Sequence, residues 1–555
     1  MFESDEICRE KYLSERYCLN QLKSENEDLK NENDELKHAN FNLKKINEHF
    51  KSTKAYKLWN KYKGIKREIE KENPTQDIKN LKEIKVALIS DQFTYDSFKY
   101  EFKIVEITPT NWLEQFKKEK PDLFFCESAW EGYCNGKKGD WENKITKDER
   151  SDRSILFEIL KYCKENKIPT VFWNKEDPVH YNNEYGGSFS DTAKNFDYIF
   201  TSAEECIKKY KKDYNHPNVH SLMFAGQPKI FNPLNLNKNK IEEVVFAGSY
   251  YKNFEERRIK EELIFDKIIK SDDIGLKIFD RTYYQSNPNI GFPEKYKKYT
   301  NPPVEYKETA NLYKNIDWGI NINTITQSKT MFARRVFELI LTNTNIISNY
   351  SKGMKELFGD NIFIIEEESP SFTEDYEDKR LNNLYNVLEN HTYTNRWKRI
   401  LDKIGFPYTE DKKDVTITFI INNENEIEKF LNNYLAIDYN DKKLNFVLDN
   451  SDLKLEELKR KYPQIDNIYY KNDEYTDKLI NEITTEYFII TKNKIKTDFI
   501  KKAILHYSYL DKHYGIKENE SKFNLALTND FTDILFNRKM LNSLNKNNSF
   551  DIYYI

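Results

Sequence analysis

Leu22, Leu29, Leu36, Leu43 and Phe50 recur at every seventh residue, and Leu19, Asn26, Asn33, Asn40 and Asn47 keep the same spacing three positions ahead of them. Taking the leucines as d places the asparagines at a. Lys23, Lys30, Lys37 and Lys44 then occupy e, and Glu25 and Glu32 occupy g. Asparagine at a satisfies itself best across a parallel dimer, and the g and e charges attract in that arrangement. The pattern predicts a parallel coiled coil within residues 1–70, reaching about 48 Å at 1.5 Å per residue, and a homodimer through residues 19–50. A solvated, unpaired charged helix is the plainer reading of the same charges.

Residues 60–83 form a linker broken at Pro74, after which the period changes. Apolar β-type runs appear at Ile84–Ser90, Phe102–Ile107, Asp122–Cys126, Thr170–Trp173 and Tyr198–Thr201, with helical patterns at Trp112–Glu119 and Ile155–Lys164. Alternating strands and helices predict an α/β fold with a parallel sheet covered on both faces. Ligands of such sheets sit outside the carboxyl ends of the strands, which directs attention to the loops there. Two of those loops are rich in polar and aromatic groups. One carries Glu127 and Trp130, and the other reads Asn174-Lys175-Glu176-Asp177-Pro178-Val179-His180. Glu127, Trp130 and Glu176 are candidate walls of a cleft for a hydroxylated ligand. Asp177 and His180 are candidate general bases for an attacking hydroxyl. Asp177 before proline equally suits a helix cap, and His180 equally suits packing.

A second α/β unit begins near Glu242. Val244–Ala247 is a strand, Gly248-Ser249-Tyr250 a turn, and Arg257–Ile269 a helix; Leu276–Phe279 and Trp318–Asn321 are further strands. A Gly-Ser turn at a strand end lets backbone N–H groups approach a phosphate. The stretch MFARRVFELILTNTNIISNY (331–350) reads as loop, helix and buried strand. Arg334 and Arg335 offer forked donors to phosphate, and Glu338, one turn on, can accept two sugar hydroxyls. Ser249, Arg257, Lys329, Arg334 and Arg335 are therefore the candidate phosphate-binding groups, and Glu338 is the candidate ligand of the sugar hydroxyls beside them. The alternative for Arg334 and Glu338 is a surface ion pair at helical spacing.

Composition narrows the class without naming a ligand. Net charge is −4 with both signs interspersed, so no basic field points to nucleic acid. Aromatics reach 15%, too many for a disordered chain. The six cysteines form no C-x-x-C pair, which suits a reduced cytoplasmic setting. The charged start has no signal-peptide core, and no run of about 18 apolar residues suggests a transmembrane segment.

FWNKEDPVHY, FDYIFTSAEECIKKY and MFAGQPKIFNP, followed by VVFAGSY and TMFARRVFELI, resemble in order the two halves of CgeB-like (spore-maturation type) GT-B glycosyltransferases over residues 84–360. The resemblance implies twin Rossmann-like domains, with an acceptor half at 84–235 and a nucleotide-sugar half at 236–405. It also implies metal-independent transfer of a sugar from a nucleotide-sugar donor, UDP-linked, to a glycan or cell-surface polymer precursor, with no cofactor. Related retaining enzymes bracket the donor sugar with two glutamates separated by seven residues. Glu338 matches the second, the ribose ligand, whereas Thr330 stands at the first. The alternatives are a non-catalytic glycan-binding or scaffold protein on the same fold, or a bifunctional transferase with an active last domain.

The helical runs KRLNNLYNVLEN and TNRWKRILDKI suit helices that cross back over both lobes. From 414 to 555, strands at Val415–Ile421, Leu444–Leu448 and Glu486–Ile490 resemble the nucleotide half of a family-two, GT-A-type transferase. Where that family carries Asp-x-Asp, this chain has Thr491-Lys492-Asn493, so the resemblance implies a degenerate accessory domain.

Overall fold

The computed structural model describes residues 78–555 except 183–186, 237–239, 286–288, 450–453, 472–481, 521 and 542–548. The heptads and the dimer they imply lie outside the described residues.

The first sheet contains β1 (Lys85–Ile89), β2 (Lys103–Glu106), β3 (Leu123–Glu127), β4 (Thr170–Asn174), β5 (Tyr198–Thr201) and β6 (Val219–Ser221), in the order β2-β1-β3-β4-β5-β6. All five pairings are parallel. β3 and β4 are buried at every residue, as their unbroken apolar runs require when helices cover both faces. Helix α1 (Gln92–Phe98) follows β1, where the sequence pattern suggested only a polar turn.

The second sheet contains β7 (Val244–Gly248), β8 (Leu276–Asp280), β9 (Thr300–Asn301), β10 (Trp318–Asn321), β11 (Asn345–Ser348) and β12 (Phe363–Ile364). It is ordered β9-β8-β7-β10-β11-β12 and is again wholly parallel. The order reverses between β7 and β10, and a crevice opens at such a switch point. Helix α2 (Glu255–Ile269) follows β7, and α3 (Arg335–Leu341) links β10 to β11. The stretch that reads as one strand–helix–strand step folds as one.

Helices α4 (Glu377–Asn390) and α5 (Tyr393–Ile404) leave the second sheet and return to the first. A capping box starts α5: Thr392 Oγ1 accepts from the Asn395 N–H, and the Asn395 side chain accepts from the Thr392 N–H. Tyr393 then meets Phe98 edge-on at 5.0 Å, and Trp397 packs on Phe102 at 4.7 Å. Buried Arg396 donates to the carbonyls of Met223 and Phe224, at 2.9 and 2.8 Å. One apolar cluster therefore runs from Leu88 and Phe98 through Leu339 and Trp397 to Val415 and Phe446.

Eight further strands, β13 (Val415–Ile421), β14 (Lys442–Leu448), β15 (Asn467–Tyr470), β16 (Tyr487–Thr491), β17 (Gly515–Lys517), β18 (Leu525–Thr528), β19 (Ile534–Asn537) and β20 (Phe550–Tyr554), form one mixed sheet. Its order is β15-β14-β13-β16-β19-β17-β20-β18. This domain packs on α4, where Tyr385 reaches buried His506 at 3.2 Å and Glu389 pairs with Lys501 at 2.7 Å. At the Asp-x-Asp position, Thr491 and Asn493 both donate to Asp533, so the groups there serve the domain's own loop. Among the described residues no helix is long and apolar enough to cross a membrane.

Candidate active site

The carboxyl ends of the two parallel sheets face each other. From the loop after β10, Thr330 Oγ1 donates to the Ser202 carbonyl at 2.7 Å and accepts from the Glu204 N–H at 2.8 Å, both just beyond β5. Ser328 donates to Glu205 at 2.9 Å. Arg334 lays its guanidinium 4.0 Å from the ring centre of Phe93, at the start of α1. A stacked pair of that kind contributes about 0.5–2 kcal/mol, depending on how much water it excludes.

Three guanidiniums gather at the end of β7. Arg335 donates to the Ala247 carbonyl and, at 3.1 Å, to the Tyr313 hydroxyl. Arg257, from the first turn of α2, reaches the carbonyls of Ile322 and Ser249, at 3.3 and 3.4 Å. Arg281, from the loop after β8, donates to Ser249 Oγ at 3.1 Å and to the Tyr251 hydroxyl. The charges are close enough to disturb one another. Burial lowers the Arg257 pKa, Glu261 opposes that, and Arg335 and Arg281 push it down again. Gly248 is needed beside them, because a Cβ there would stand 2.7 Å from the Phe246 ring and 3.4 Å from Arg335 Nη2. A polar net around Asn323 sets the approach to α3. Its Oδ1 accepts from the Ala333 N–H at 2.9 Å, and its backbone pairs with the Asn349 side chain.

Glu338 lies on the first turn of α3 and is 7% exposed. Its Oε1 is 3.6 Å from Arg334 Nη1, too long for a good hydrogen bond, and that Nη1 is buried without a partner. The ion pair read from helical spacing is therefore present, but loose, and Arg334 is also spent on the contact with Phe93. Burial lowers the Arg334 pKa, and Glu338 together with Tyr306, Tyr393 and Tyr313 more than restores it.

On the first lobe, Lys175 is buried between Asp91 at 2.9 Å and Glu127 at 3.1 Å. Asp91 also accepts from the N–H groups of Trp130, Glu131 and Gly132, which fixes the loop carrying Trp130. Burial raises the Asp91 pKa, and Lys175 and those N–H groups reverse this to leave it below the usual range. In Glu127 burial prevails over Lys175 and sets the carboxyl at about 7. Trp130 meets His180 edge-on at 4.9 Å and Phe189 at 5.0 Å, and His180 Nδ1 is buried without a hydrogen bond. Glu176 is half-buried in the same loop, and its carbonyl accepts from the His180 N–H at 3.1 Å.

Three expectations need correction. Asp177 is sealed inside the first lobe, where its carboxylate accepts from Asn174 at 2.8 Å, Thr201 at 2.6 Å and Tyr210 at 3.2 Å. Burial raises its pKa to about 7 against the pull of those bonds. It holds its loop to β5 and cannot reach an acceptor. Glu127 is fully buried beneath the cleft wall, because Lys175 pairs with it from the next strand end. Ser249 is 2% exposed and its hydroxyl is occupied by Arg281, so it positions that arginine. Lys329 is exposed, with its ammonium 4.0 Å from Glu356. Arg281, Asp91 and Lys175 are the members that sequence reasoning passed over. A strand-end position after β8 was the available signal for Arg281.

Residues 257–402 match the protein-family model described as "Glycosyl transferase-like". No curated protein matches the sequence. Among solved structures, a glycosyltransferase from Rickettsia africae ESF-5 is similar at 10% identity and a TM-score of 0.36, covering 58% of this chain and 97% of its own. The Candida albicans trehalose-6-phosphate phosphatase N-terminal domain is similar at 10% identity and a TM-score of 0.36, covering 60% and 99%. An alpha1,3-fucosyltransferase is similar at 11% identity and a TM-score of 0.30, covering 60% and 92%. The twin-lobed plan shows in the strand order of the two sheets and in the family match. Two parallel, helix-covered lobes with their strand ends facing across a cleft form the GT-B plan, and most of the second lobe matches the glycosyl transferase-like model.

Proposed function

We propose that this protein transfers a sugar from a nucleotide-sugar donor, UDP-linked, to a glycan or cell-surface polymer precursor, without a metal ion. The observation that carries this reading is the convergence of Arg257, Arg281 and Arg335 on the Gly248-Ser249 turn. Glycosyl transfer builds negative charge on the leaving diphosphate, and three guanidiniums already fixed by carbonyl and hydroxyl oxygens can stabilise that charge without reorganising. Glu338 accepts the ribose hydroxyls, with Arg334 beside it. The acceptor enters beside Trp130, and the half-buried His180 beside that ring takes the proton of its attacking hydroxyl. The heptads at 19–50 would pair two such units, and the last domain would serve acceptor binding or assembly.

A scaffold reading is favoured by Thr330, which is used to join the lobes where a donor-sugar carboxylate was expected. One experiment separates the two. Incubate the full chain with a panel of nucleotide sugars and candidate acceptors, and measure nucleoside diphosphate release with and without EDTA. Release that persists in EDTA supports the transferase; no release with any donor favours the scaffold; release abolished by EDTA points to an active last domain.

A further inference from the structure

One carboxylate inside the second lobe has no role in the reading above. Glu261, on α2 one turn after Arg257, is 0% exposed, and neither of its oxygens has a hydrogen bond. Its Oε2 stands 3.6 Å from Arg257 Nε, which is also buried without a hydrogen bond. A buried carboxylate is costly unless a charge or hydrogen bonds compensate for it. Here compensation comes through the field of nearby guanidiniums and not through bonding.

We propose that Glu261 is a positioning residue for the donor, holding Arg257 from inside the lobe and exchanging a proton with solvent as a nucleoside diphosphate enters or leaves the arginine cradle. This rests on the donor site proposed above. The charged groups facing Glu261 are Arg257 and Glu262 on its own helix, Arg335 on α3 and Asp280 at the end of β8. Burial raises its pKa, Arg257 and Arg335 lower it, and Glu262 and Asp280 raise it again, leaving the carboxyl at about 7. The group is thus poised where a change in local charge alters its protonation. Without a ligand above that pH, Glu261 is ionised and offsets one guanidinium. A diphosphate bound to the same guanidiniums adds negative charge nearby, which favours the protonated acid, so binding takes up a proton from solvent. Loss of that proton while the product is still bound restores a carboxylate that competes for Arg257 and hastens departure.

The test is calorimetry of UDP, GDP, ADP and dTDP binding to the full chain and to Glu261→Gln, at about pH 6 and about pH 8.5, in buffers of different ionisation enthalpy. Gln keeps the shape and can accept from Arg257, but it carries no charge. At the higher pH the variant should bind the preferred nucleotide on the order of tenfold more tightly than wild type, and the two should converge at the lower pH. The ligand's own terminal phosphate titrates equally in both. Near pH 8, where that phosphate is fully ionised, wild type should take up a fraction of a proton on binding and the variant none. Equal pH slopes, or no proton uptake by wild type, overturns the inference while leaving the donor site standing. A variant that merely loses thermal stability with an unchanged slope does the same. If Glu261→Gln does not fold, proton uptake by wild type decides alone. No binding of any nucleotide overturns the donor site and this inference together.

Discussion

Thr330 Oγ1 donates to the Ser202 carbonyl at 2.7 Å, so the residue standing where a donor-sugar carboxylate was expected fastens the second lobe to the first. The same hydroxyl accepts from the Glu204 N–H, which satisfies two backbone groups at the end of β5. Thr330→Val keeps the shape and removes both bonds. It should destabilise the protein by about 1–3 kcal/mol, since partly buried groups are left unpaired. Thr330→Glu should be worse, because it sets a carboxylate against a carbonyl. Thermal unfolding checks both, and a glutamate variant as stable as wild type would contradict this role.

Arg281 approaches the β7 turn from the loop after β8 and Arg335 from the start of α3, and truncating either removes one donor. Arg335→Ala and Arg281→Ala should each lower turnover on the order of 100-fold. Glu338→Ala should instead weaken nucleotide binding, seen as a higher KM for the donor. Steady-state kinetics separate the two effects, and wild-type rates in all three variants would remove the assignment.

If the arginines neutralise the leaving diphosphate, EDTA should leave turnover unchanged. Loss of activity on chelation, restored by a divalent cation, would argue against this site.

Asp177 should couple stability to pH. Its carboxyl holds a proton up to about 7 in the folded protein and gives it up near 4 when unfolded. Between those values the folded state binds more protons, so this group makes stability fall as pH rises through the window. Asp177→Asn should flatten the difference in urea unfolding between about pH 4.5 and about pH 7.5. Glu127 contributes a slope of the same sign, which should persist in the variant.

His506 acts in the opposite direction at lower pH. Burial and then Lys502 hold its pKa at about 3, well below that of an unfolded histidine. The unfolded chain binds the extra proton first, so stability contributed by the neutral ring is lost as pH falls from about 6.5 towards 3. Tyr385 and His506 join α4 to the last domain. Limited proteolysis should therefore cut that domain sooner at pH 4 than at pH 7.

The alternation of apolar runs was enough to read both parallel sheets, because strands buried on both faces must be apolar without interruption. Short elements escaped, α1 among them, because QFTYDSF carries too few apolar positions to show a period. Arg257 and Arg335 were legible from their places after strand ends. Arg281 was visible at the end of β8 but had nothing local to distinguish it, since only sheet order brings β8 beside β7.

By itself the sequence determined that two α/β lobes follow one another, that a Gly-Ser turn ends β7, and that Glu338 lies one turn after two arginines. Those features follow from periodicity and from residue chemistry within a few positions. Tertiary structure alone decided which polar groups face the cleft. Asp177 and Glu127 look like Glu338 in one dimension, yet Thr201 and Tyr210 enclose the first and Lys175 the second. Thr330 likewise became a fastening because Ser202, 128 residues away, has a carbonyl within reach. Burial and long-range pairing depend on how the lobes meet, and no local pattern encodes that meeting.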